Sequence, residues 1–70
     1  MKIRIVHDTE RVYKENEEME AKRLINDFIE GLNESDKNDK ETIDWLNNVS
    51  EESAVKLIEA LWDLSIKILE

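Results

Sequence analysis

The sequence predicts a mainly α fold, a small bundle of about three helices with a short N-terminal β-strand or extended arm. Three observations carry that expectation. The chain has no proline and a single glycine among 70 residues. Glu, Lys, Leu and Ile are abundant, a composition that suits helices better than a strand-and-turn fold. Apolar residues recur at helical spacing over two long stretches, 21–32 and 50–69. With 40% hydrophobic content and no cysteine, the chain specifies one domain near the size at which a core alone holds a fold.

Taken in order, residues 1–8 form the strand or arm. Ile3 and Ile5 lie on one face and Lys2, Arg4 and Val6 on the other, the period of a half-buried strand. No later segment reads as its mate, so it is expected to pair with a second copy or another protein, or to lie along the helices. Residues 9–32 are read as the first helix, capped by Asp8 or Thr9 with Glu10 in the first turn. Glu10 to Glu20 is polar, whereas Ala21, Leu24, Ile25, Phe28, Ile29 and Leu32 share one face. Pairs of Glu18 with Lys22 and Glu20 with Arg23 support the exposed half, and Gly31 marks the stop.

Residues 33–38 form a polar loop, and 39–48 a short second helix capped by Asn38 in a capping box with Glu41, or by Asp39. That helix turns Ile43 and Leu46 inward, with Trp45 beside them. Ser50 then caps a third helix over 50–69, with Glu51 and Glu52 in its first turn. Projected at 100° per residue, Lys56, Glu59, Ala60, Asp63, Lys67 and Glu70 gather on one narrow side. Val55, Leu57, Ile58, Leu61, Trp62, Leu64, Ile66, Ile68 and Leu69 sweep an arc of roughly 200°. That is about twice what one packed face needs, so the arc calls for a second chain, with Ser65 at its middle marking close approach of another helix. Ile3, Ile5, Leu61, Ser65 and Ile68 are the residues expected at a homodimer contact.

The net charge is −8, and residues 10–30, 31–50 and 51–70 each contribute −3. Acid spread over the whole body disfavours direct nucleic-acid binding and attracts basic partners. The N-terminal stretch lacks the apolar core of a signal peptide and no segment is long enough for a membrane span, so a cytoplasmic protein is expected. Catalytic chemistry is not expected. His7 is the one histidine, no strained Ser turn is present, and Asp36 to Lys40 lacks the glycine and the bidentate Glu of a calcium loop. No cofactor and no metal are implied.

The function expected is therefore that of an acidic, non-enzymatic module that binds and regulates or inhibits another protein. Trp45 and Trp62 are its candidate anchors. Small acidic inhibitors encoded by phages and other mobile elements, of the anti-CRISPR or anti-defence type, are similar to this chain in size and charge. In that reading Glu15, Glu17, Glu18, Glu20, Asp36 and Asp39 imitate the phosphates of a nucleic acid. Two alternatives stand beside it. The order strand, helix, helix resembles the ribbon-helix-helix family, which implies a dimeric DNA-binding regulator or antitoxin with Lys2 and Arg4 in the major groove. The chain is otherwise a structural subunit of a larger assembly.

Overall fold

A computed structural model describes residues 1–69. It shows an α+β fold, in which a three-stranded antiparallel sheet carries helices on one face. The elements are β1 (Lys2–Asp8), β2 (Glu18–Glu20), α1 (Ala21–Glu30), α2 (Lys37–Asn48), α3 (Glu51–Trp62) and β3 (Leu64–Ile68), with strand order β2-β1-β3. The expectation of a mainly helical bundle is therefore overturned.

The largest correction falls on residues 50–69. Ser50 caps α3 as expected, its hydroxyl accepting from Ser53 N–H at 3.2 Å. The helix ends at Trp62, however, because Asp63 takes a left-handed conformation, φ 53°. Aspartate tolerates that region better than most side chains, so it stops a helix where no glycine stands. Leu64, Ile66 and Ile68 then alternate with Ser65 and Lys67 along β3. The wide apolar arc is thus a helical face plus a strand projected at the wrong period. Ser65 does not mark a helix contact; it lies exposed on the outer face of the sheet. Glu70, placed on the polar side of that projection, lies outside the described residues.

β1 has two mates. Lys2, Ile3 and Arg4 face Glu20, Met19 and Glu18 on one side. Ile3, Arg4 and Ile5 face Ile68, Lys67 and Ile66 on the other. The pairing shifts by one residue between Ile5 and His7, a bulge that returns Asp8 to the inner face opposite Leu64. The ribbon-helix-helix order is accordingly absent, since β1 is followed by a second strand and is the central strand of its own chain.

The expected first helix over 9–32 is also corrected. Residues 9–17 form a loop, β2 follows, and helix begins only at Ala21. Asp8 caps no helix; its carboxylate accepts from Glu10 N–H at 3.0 Å and Tyr13 N–H at 2.7 Å. Glu18 and Glu20 accordingly lie on a strand, without helical partners at Lys22 and Arg23. From Ala21 onward the predicted face holds, with Ala21, Leu24, Ile25 and Phe28 buried and Gly31 at the C-cap. The second helix starts two residues earlier than expected, because Asp36 is its cap, accepting from Asn38 N–H and Asp39 N–H.

One core unites these pieces. Ile3, Ile5, Met19 and Leu64 line the inner face of the sheet, Leu24, Ile25 and Phe28 come from α1, and Ala54, Val55 and Ile58 from α3. Tyr13 closes one end, and Leu46 is the single buried residue of α2. Two measurements separate this fold from a helical bundle. Ile5→Ala should cost about 2–5 kcal/mol in urea unfolding, the loss typical of a fully buried aliphatic side chain. In hydrogen exchange, the Lys67 amide should be protected by β1 and the Ile68 amide should exchange fast, an alternation that a helix through this segment would not give.

Candidate interaction site

The structure separates the two tryptophans. Trp62 is a packing residue, its ring centroid 5.0 Å from Phe28 and 6.5 Å from Tyr13, both tilted. With Asp8, Glu10, Val12, Tyr13 and Leu64 it lines a small cavity of about 210 Å³. Trp45 is the opposite case. It is 46% exposed, on a helix that commits only Leu46 to the core.

The surroundings of Trp45 follow from how α2 is held. Asp36 and the turn before it fix the start of the helix, Asn33 N–H donating to Asp39 Oδ2 at 2.9 Å. Leu46 turns inward, Thr42 and Ile43 are half-buried, and Trp45 is left facing outward. Asn38, Glu41 and Thr42 of α2 and Leu57 of α3 join it in an open groove. Leu61, one turn beyond Leu57 on the same side of α3, is 61% exposed. A strip of large apolar side chains thus runs between two helices. Glu41, one turn before Trp45, and Asp44, beside it in sequence, form no ion pair among the described residues.

The acids singled out from sequence are mostly engaged within the chain. Glu18 accepts from Arg4 Nη2 at 3.0 Å, and Glu20 lies 3.0 Å from the N-terminal ammonium, with Glu51 at 3.1 Å on the same group. Glu17 lies 3.6 Å from Arg23 and accepts from Lys14 N–H. Asp36 and Asp39 stabilise the start of α2 and the turn before it. Glu15 alone of the six is free of such a role, lining a depression with His7, Arg11 and Lys14. Lys2 and Arg4 lie on the outer face of the sheet with Lys67, opposite Glu20 and Glu18. Of the five residues expected at a dimer contact, Ile3 and Ile5 are fully buried inside one chain. Leu61 and Ser65 are exposed, and Ile68 is half-buried.

Sequence reasoning missed two polar anchors. Asp8 is buried and ties down the loop after β1. Tyr13 is buried with its hydroxyl donating to Asp27 Oδ2 at 2.9 Å. Burial, and next the bond to Asp27, push the Tyr13 phenol well above its ordinary value of 10.0. The signal for Tyr13 was its position, an isolated aromatic in a polar stretch.

Among the described residues no three His, Cys, Asp or Glu side chains gather to hold a metal ion, and no helix is long and apolar enough to cross a membrane. Comparison with family models, curated proteins and solved structures finds no match. The Tyr13 contact gives a pH test. A phenol whose pKa is raised by folding stabilises the native state below the unfolded value and loses that contribution as pH rises past 10. Stability should therefore fall above pH 10, and Tyr13→Phe should flatten that fall while lowering stability at neutral pH by about 1 kcal/mol, both read by urea unfolding.

Proposed function

We propose that this chain is a small acidic interaction module, without catalytic activity, that binds another protein through the groove at Trp45 and so regulates or inhibits it. The observation that carries the reading is Trp45 itself, a large apolar side chain 46% exposed on a lightly anchored helix. Tryptophan is the residue most enriched at binding hot spots, and one left in an open apolar groove gains most from being covered. Leu57 and Leu61 extend the strip along α3, the Glu41 carboxylate lines the groove with Trp45, and the exposed Asp44 lies on the adjoining side of α2. The segment that fits is amphipathic and basic, with apolar side chains against Trp45 and Leu57 and Lys or Arg beside the acids. The acid spread over the rest of the chain draws such a partner in before contact.

The reading rests on the groove rather than on an array of acids, because five of the six acids first considered have partners in the chain. A designed Leu/Lys amphipathic helical peptide serves as the probe, with binding followed through Trp45 fluorescence in a Trp62→Phe background and by calorimetry. Trp45→Ala should weaken binding by roughly tenfold or more, equivalent to about 1.4 kcal/mol, while leaving the melting temperature nearly unchanged. A Ser/Lys peptide of equal charge should bind far more weakly. Equal binding by Trp45→Ala, or equal binding of the two peptides, would overturn the groove as the contact site.

A further inference from the structure

β3 is an edge strand whose outer side has an unusual occupant. Leu69 N–H donates to Lys2 carbonyl oxygen at 2.9 Å, which fixes the alternation along β3. Lys67 and Leu69 direct their backbone groups toward β1; Ile66 and Ile68 direct theirs away. The outward Ile66 N–H nonetheless has a partner, since it donates to Glu59 Oε2 of α3 at 2.9 Å. A side-chain carboxylate thus holds the position that the carbonyl of a neighbouring strand would take.

We propose that the outer edge of β3 pairs with β3 of a second copy of this chain, and that Glu59 competes for that edge. The segment Leu64-Ser65-Ile66-Lys67-Ile68 is its own antiparallel complement. About a two-fold axis at Ile66, the two Ile66 residues exchange N–H···O=C bonds, and Leu64 faces Ile68 of the second copy. All six of these side chains stay on the helix-covered side of the sheet. On the outer face Lys67 meets Ser65 of the second copy, so no like charges oppose each other. The result is a continuous six-stranded sheet with its two acidic helical layers on one side. Two five-residue strands bury less than the 1,200 Å² or so of a stable interface, so pairing is weak and depends on concentration. Because both protomers are acidic, added salt strengthens it. This surface is separate from the groove at Trp45, and the proposal stands independently of the binding reading.

Sedimentation equilibrium of the full chain tests it, with circular dichroism confirming that each variant is folded. Glu59→Ala frees Ile66 N–H and should tighten self-association by roughly tenfold or more. Ser65, exposed on the outer face, supplies a decisive pair of variants. Ser65→Glu sets a carboxylate opposite Lys67 of the second copy twice over and should tighten the dimer by about fivefold, while Ser65→Lys should weaken it by a similar factor. Bulk charge alone predicts the reverse, since Ser65→Glu makes an acidic chain more acidic and Ser65→Lys makes it less so. The reverse order, no difference between the two, or a Glu59→Ala protein that is folded and still monomeric at millimolar concentration overturns the proposal. Should Glu59→Ala fail to fold, the order of the Ser65 variants decides alone.

Discussion

Everything in this fold depends on β1 being paired on both sides. As far as the bulge, its odd-numbered residues bond toward β2, as Ile5 N–H does to Glu17 carbonyl oxygen at 2.8 Å, and its even-numbered residues bond toward β3, as Lys2 carbonyl oxygen does with Leu69 N–H. Only when both mates are present are the backbone groups of the central strand satisfied while Ile3 and Ile5 are sealed from water. One mate lies just beyond a nine-residue loop and the other at the far end of the chain. The helices between them span the gap and cover the inner face. Hence α1 and α3, which pack on that face, are rich in buried residues, and α2, which connects them, is not.

The bulge after Ile5 has a consequence at the opposite end of the sheet. Without it, alternation would turn His7 inward and Asp8 outward. With it, Asp8 faces the core side opposite Leu64, where its two carboxylate oxygens accept the amides of Glu10 and Tyr13. Those bonds fold the loop over the end of the core and bring Tyr13 against Trp62. Arg11 and Asn16 take positive φ values, 59° and 65°, to complete the path. Asparagine does so easily, whereas arginine does so at a cost of about 1 kcal/mol, offset by the burial of Tyr13 that the turn permits.

How much of this was legible in the sequence differs element by element. The face of α1, the Ser50 cap and the strand at Ile3 and Ile5 could be read because each has a strong local signal. β2 could not, since three residues with one inward side chain, Met19, carry no period, and its glutamates favour helix when considered alone. The residues of β3 read as the end of the third helix. Leu61, Leu64 and Ile68 stand in helical phase, while Leu64, Ile66 and Ile68 alternate, and five residues are too few to separate the periods. Asp63 was the available punctuation. The roles of the acids were legible least of all, because Glu17, Glu18 and Glu20 acquire their partners only when distant parts of the chain meet.

The same tertiary meeting sorts the surface chemically. Folding consumes the acids nearest the sheet in ion pairs and caps, and it consumes Trp62 as packing. It leaves Glu41 and Trp45 uncovered at the α2–α3 groove and Leu61 exposed one turn further along α3. A chain selected only for a closed core would gain by turning Trp45 inward, because burying a large aromatic side chain is strongly favourable. Helix α2 instead buries Leu46 and presents the larger side chain, Trp45, to water. Since the helix is well capped and its phase is set by Leu46, that presentation is a property of the fold and not of a frayed segment. Because α2 commits only Leu46 to the core, whereas Ile3 and Ile5 of β1 are fully buried between its two mates, the groove is free to change without loss of the core.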